Sequence, residues 1–314
     1  APPLPKLFSG GIFFFFFIQR PSPDLLDTIY ICQQRQEWYQ EFARVTGDDP
    51  CPFVGAASIT DNVEVAAERM RNALGFEIAA RRAMRTWEEA LREFIEKADD
   101  SGVLVMVNGV VGNNNHRRLD PDEFRGFALA DPLAPLVFLN GADTKSGQMF
   151  TLAHELAHIW LGQSALSDLE PIGTSTYQIE TWCNQVAAEM LVPLADLAQE
   201  YRRNNHLEDE IVRLARVFKV STLVVLRRIY DAGHLSQQVY WDAYHAELER
   251  LLAIPKGSGG NFYFTQAARV SKRFARALVA STLEGQTLHR DAFHLLGFAK
   301  FETFRALGHN LGIA

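Results

Sequence analysis

Apolar positions recur at helical spacing from Leu25 through residue 45, and this spacing predicts an amphipathic helix over residues 25–45. Asp49-Pro50-Cys51-Pro52 breaks the pattern. Two further helical patterns run from Val63 to Leu74 and from Thr86 to Ala98, with Asn62 and Thr86 as N-caps and Glu64 and Glu88 in the first turns. The period then changes. Val103–Val107, Phe124–Leu129 and Leu136–Leu139 are short apolar runs bounded by Gly, Asn, Asp and Pro, which predicts three strands. From residue 143 the pattern is helical again. Lys256-Gly257-Ser258-Gly259-Gly260 interrupts it before a C-terminal helical segment, residues 261–314. No internal repeat is present.

Residues 1–25 hold five prolines, two glycines and the run Ile12–Ile18, and they predict a linker or arm. The seven apolar residues of that run are far short of the roughly 20 that cross a bilayer. They predict a strand that is buried or covered by a partner, because an exposed Phe run invites aggregation. The expected organisation is an arm and helix over residues 1–55, a central domain over 56–235, and a helical segment over 236–314. Helices and a small sheet in series predict an α+β fold, with the sheet packed on the helix that follows it.

Formal net charge is -7 and pI about 5.7, so nucleic-acid binding would need a local basic patch. Three cysteines, Cys32, Cys51 and Cys183, show no CxxC spacing. They argue for a reducing compartment, and the cytoplasm is the expected location.

The candidate chemistry lies between residues 143 and 193. Asp143 or Thr144 can cap a helix that Gly162 ends, and this helix is apolar nearly all round, as a buried helix is. It carries His154-Glu155-Leu156-Ala157-His158. Residues four apart share a helix face, so both imidazoles can bind one ion while Glu155 reaches a water beside it. A catalytic zinc keeps three protein ligands, and the third is expected from the next apolar helix, Ile179–Leu191, where Glu180 stands near the start. Asn184, one turn on, is placed to hold a ligand in orientation. A chance match to this spacing falls more often on a polar, exposed face. Here three polar groups sit among apolar neighbours, where leaving them unpaired is costly, and a metal compensates them. Cys183 is expected to be a small buried side chain, with a role as an alternative ligand that silences the site as the sharper reading. Manganese is the alternative to zinc for a His-His-Glu set.

Met149-Phe-Thr-Leu-Ala-His-Glu-Leu-Ala-His158, followed by Ile179-Glu-Thr-Trp-Cys-Asn-Gln-Val-Ala-Ala-Glu-Met-Leu-Val-Pro193, resembles the ImmA/IrrE metallo-endopeptidases. The stretches from Val110 to Arg117 and from Glu123 to Ala128 also resemble long members of that family. The resemblance covers residues 50–235 and implies a zincin-like, intracellular zinc peptidase with Glu180 as the carboxylate ligand. It implies as partner a helix-turn-helix repressor, whose cleavage derepresses stress, DNA-damage or mobile-element genes. Many long members begin with their own helix-turn-helix domain, which this sequence lacks.

The expected mechanism is metal-assisted peptide hydrolysis with Glu155 as general base. The strand near Leu136–Asn140 is expected to align an extended substrate by β-addition. Tyr177, His116 and Arg117 are the candidates for stabilising the oxyanion. The rival reading is a DNA-binding regulator with a dormant or metal-sensing site. Ile211–Ser221 followed by Thr222–Arg228 has helix-turn-helix spacing, with Lys219 where the turn usually has Gly. Residues 261–276 hold four basic side chains, Arg269, Lys272, Arg273 and Arg276, interleaved with aromatics, which suits single-stranded DNA as a partner or activator. The blander reading for both stretches is helices that close the domain and pack on it. A third reading is a small-ligand sensor.

Overall fold

The computed structural model describes residues 21–164, 174–253, 269–298 and 300–313. The run Ile12–Ile18, the break at Lys256–Gly260 and residues 261–268 lie outside the described residues. Helix α1 (Pro23–Thr46) starts where Ser22 accepts the amide of Leu25 and Pro23 occupies the first turn. Helices α2 (Val63–Leu74) and α4 (Trp87–Asp100) are capped by Asn62 and Thr86, as the sequence predicts. A short α3 (Ile78–Ala83) lies between them and has no side-chain cap, which is why no local signal announced it.

The sheet has β1 (Leu104–Asn108), β4 (Gly126–Leu129) and β5 (Leu136–Asn140) in the order β1-β5-β4. β1 runs parallel to β5 and β4 antiparallel to it. A hairpin of β2 (Val110–Val111) and β3 (Asn114–Arg118) stands apart as a second, two-stranded sheet. The three main strands read as continuous apolar runs because both faces of the sheet are covered. Alternate residues go to opposite cores. Val105, Ala128, Val137 and Leu139 face the core built by α2, α4 and the helices after the sheet. Leu104, Met106, Phe127, Leu129, Leu136 and Phe138 face a second core.

That second core joins the two ends of the chain. α1 packs there with α11 (Lys272–Leu283), α12 (His289–Leu296) and α13 (Phe301–Leu311). Two buried polar groups lock the junction. Arg35 donates to the carbonyl of Leu295, and Asp99 accepts from the Ser271 hydroxyl and the Arg273 amide. Ser271 is the N-cap of α11 and adopts φ +69, a strained value for a residue with a Cβ.

On the first face lie α5 (Lys145–Leu161), α6 (Thr174–Leu191), α7 (Leu194–Glu200), α8 (Leu207–Phe218), α9 (Thr222–Asp231) and α10 (Gln237–Leu252). The turn between α8 and α9 places Lys219 at φ +55. α9 is buried through Val224, Val225, Leu226, Arg228 and Ile229, and Tyr240 and Tyr244 of α10 share the same core. Arg228 donates to the carbonyl of Val192 and pairs with Glu189. The helix-turn-helix spacing thus serves to close the domain around α6. No described helix is long and apolar enough to cross a membrane.

Candidate metal centre

Thr144, rather than Asp143, caps α5 by accepting the amide of Gly147, and Gly162 ends the helix at φ +68. From Gln148 to Trp160 every residue of α5 is buried. This places His154, Glu155 and His158 in an environment with little water to solvate them.

α6 lies alongside and supplies Glu180. Its two carboxylate oxygens stand 3.2 Å from His154 Nε2 and 3.3 Å from His158 Nε2, and the two Nε2 atoms are 3.1 Å apart. Among the described residues this trio is the one His/Cys/Asp/Glu group arranged to hold a metal, with its ligand atoms all within 4.8 Å of one another. The donor set fits zinc. Two nitrogens bound at 2.0–2.1 Å with tetrahedral angles lie about 3.4 Å apart, close to these separations. His154 Nδ1 and Glu155 Oε2 are buried without a partner, so the protein alone does not satisfy the site.

The charges respond to this packing. Burial pushes Glu180 up, yet its hydrogen bonds to His154 and His158 outweigh that and hold the carboxyl well below the usual range. Burial opposes a charge on His158, but Cys183 and Glu180 beside it carry its pKa well above the usual imidazole value. Glu155 is raised chiefly by burial, with the two histidines pulling it back down and Glu180 adding to the rise. A raised carboxyl suits a proton acceptor that must later give the proton away. Cys183 is fully buried beside His158, and burial raises its thiol pKa while His158 pulls it back down.

Other expected site residues fall elsewhere. Asn184 Oδ1 is buried without a partner, and no hydrogen bond joins it to Glu180. Arg117 is tied to Asp24 and Asp27 of α1, on the opposite side of the sheet from α5, and His116 is exposed on the same strand. Neither is placed to stabilise an oxyanion at the trio. Tyr177 is 60% exposed near the start of α6.

The expectation that β5 aligns a substrate fails, because β5 is the central strand and both its edges are paired. The edge strand beside α5 is β4. Arg125 O accepts the Asn140 amide, so the alternation of an antiparallel pair turns the backbone groups of Gly126 and Ala128 away from β5. Next along, the Ala130 amide is taken by the Ser164 hydroxyl. Gly126 sits against Thr151 and Glu155. Its four residues being apolar and buried, β4 carried no signal in sequence that it was an edge.

Three of the four basic residues considered for nucleic acid are engaged within the fold. Arg269 bonds Asn113, Lys272 pairs with Glu96, and Arg273 donates to the Tyr39 hydroxyl at 2.7 Å. Arg276 alone of the four is exposed without a partner among the described residues. On the helix-turn-helix-like pair, Arg227 pairs with Asp231 and Arg228 is buried.

A family model described as a domain of unknown function matches residues 270–310, the helices of the second core. No curated protein matches the chain. A second family model, of a peptidase family described as the IrrE N-terminal-like domain, matches residues 98–230. That span runs from the end of α4 through α9, contains the sheet, both histidines, Glu155 and Glu180, and is similar to the IrrE N-terminal-like peptidase domain.

Proposed function

We propose that this protein is a zinc-dependent endopeptidase with a zincin-like arrangement, in which a small sheet lies against the helix bearing both histidines. The observation that carries the reading is the convergence of two buried imidazole nitrogens and both oxygens of one carboxylate, with a further buried carboxyl beside them. His154, His158 and Glu180 would hold the ion. Bound zinc supplies Lewis acidity, polarising the scissile carbonyl and making water a nucleophile near neutral pH.

The chain's own residues do the rest. Glu155 accepts the proton of the attacking water and delivers it to the leaving amine. Its raised pKa puts it closer to the working pH than an exposed carboxylate, so both transfers are accessible. The outward backbone groups of Gly126 and Ala128 pair with an extended substrate and lay it along β4. Gly126, lacking a side chain, keeps that strand close to Glu155.

The substrate we propose is a helix-turn-helix repressor, whose loss releases stress, DNA-damage or mobile-element genes. The setting is the cytoplasm, in keeping with three free cysteines, two of them buried. The test is incubation of the zinc-loaded protein with the repressor encoded beside it, read by mass spectrometry of the fragments. Specific cleavage lost in Glu155→Gln supports the reading. Equal cleavage by both proteins overturns it.

A further inference from the structure

A cleft of about 260 Å³ opens on the first face of the molecule, away from the histidines. Its floor is Phe53 and Trp160, stacked with ring centroids 3.9 Å apart and planes 6° off parallel. Trp160 lies two residues past His158, about 200° round the helix, so the cleft is behind α5 rather than at the trio. Ala66 and Ala73, one face of α2, form a wall and leave the space open. At the rim stand Asp61 and Arg69. Asp61 is partly used, since its Oδ2 accepts the Ser58 amide. Arg69 is exposed and has no partner among the described residues, so its guanidinium donors are free, whereas Asp61, the opposite charge at the same rim, already accepts an amide.

An aromatic floor, small walls and a rim with one unpartnered guanidinium form an apolar pocket with few polar groups, the make-up of a small-molecule site. Guanidinium matches a carboxylate in geometry as well as in sign. We infer that this cleft binds a small carboxylate with an aromatic or branched apolar body, its ring against Trp160 and its carboxylate on Arg69.

The placement gives such a ligand leverage on the metal centre. The loop that forms the floor holds the end of α5, with the amides of Gly55 and Ala57 donating to the carbonyls of Ile159 and Trp160. The same loop accepts the Trp182 indole on the Asp61 carbonyl, two residues past Glu180. A ligand bridging floor and wall therefore touches the supports of both helices that carry the trio. The inference does not depend on the peptidase reading, because its test measures binding alone.

The experiment is a titration of the full chain with 4-fluorophenylacetate, followed by fluorine NMR. Saturable binding is expected, weakened at least tenfold in Arg69→Gln and lost in Ala73→Phe. Ala73 is exposed, so the added ring fills the mouth without entering the core, and circular dichroism checks that both variants fold. The neutral analogue 4-fluorophenylacetamide is expected to bind at least tenfold more weakly. Non-saturable behaviour, indifference to both substitutions, or equal binding of the amide overturns the inference. Stronger binding of 4-fluorophenethylamine also overturns it, because Asp61 would then set the charge preference.

Discussion

Gly126 of the edge strand lies directly against Glu155 of α5: a Cβ built on the glycine would meet Glu155 Cγ at 3.5 Å. The same atom would stand 2.6 Å from Thr151 Cγ2 and 2.7 Å from the Phe138 carbonyl, closer than real contacts allow. Gly126→Ala must therefore shift β4 away from Thr151 and from β5. Overpacking of this kind costs about 1–3 kcal/mol. Proteolytic activity is expected to fall further than that stability loss explains, because the strand that shifts lies against Glu155. Denaturant unfolding and cleavage rate measured on one preparation check both parts. An alanine variant of wild-type activity would contradict this account of the strand.

The trio predicts a specific response to metal. The protein should bind one zinc and gain stability as free zinc exceeds its dissociation constant, by about 2.7 kcal/mol at a hundredfold excess. Glu180→Gln removes the only anionic ligand while preserving shape, and zinc affinity should drop at least about a hundredfold, a larger effect than losing an outer partner. Glu155→Gln should leave affinity nearly unchanged. Competition against a chromogenic chelator separates the two. Equal losses in both variants would mean that the carboxylates have been assigned the wrong roles.

How much of this was legible in sequence follows from the range of each interaction. His154, Glu155 and His158 lie within one helix, so helical spacing brought them out, whereas Glu180 on the next was picked out by its place near that helix's start and by the family resemblance. The helix limits, with Thr144 and Gly162 as caps, are equally local. The strands were legible as elements, but their order was not. Leu104–Asn108 and Leu136–Asn140 each hold four apolar residues and an Asn, yet only the second is central, because the order is set by pairing between strands that no local pattern encodes. The basic stretch misled in a similar way. Its cations meet Asn113, Glu96 and Tyr39, all more than a hundred residues earlier in the chain. Nor did the sequence reveal that α1 and the C-terminal helices build one core, which rests on contacts between the two ends.

Away from the centre, Glu210 organises the junction of α7 and α8. Its buried carboxylate accepts the Arg202 amide at 2.9 Å, the Asn205 side chain at 2.7 Å and Arg213 at 2.7 Å. Burial pushes its pKa up, but these donors outweigh it and hold the carboxyl below its ordinary value. A carboxyl depressed in the folded state stabilises above its unfolded pKa, and that contribution is lost as pH falls through the folded one. Glu210→Gln should cost about 1.5–3 kcal/mol at pH 7, the range for hydrogen bonds to a charged group. The gap to wild type should narrow below about pH 4, where an unperturbed carboxyl begins to protonate. A gap independent of pH would show that shape, not charge, is what Glu210 contributes.

The same accounting bears on nucleic acid. For Arg269, Lys272 and Arg273 to reach a phosphate, each must abandon a partner it already has, and for Lys272 that partner is the Glu96 carboxylate. Only Arg276 of the four can engage at no such cost. Neutralising Z phosphates of a single strand gives a slope of about −0.7Z in log affinity against log salt. One free charge predicts a slope of about −0.7, while four acting together would give about −2.8. Titration of a single-stranded oligonucleotide at several sodium chloride concentrations measures it directly. Arg276→Ala should remove most of what binding there is, and Lys272→Ala should change little. A steep slope, with Lys272→Ala and Arg276→Ala equally damaging, would mean that α11 releases its internal partners to bind DNA.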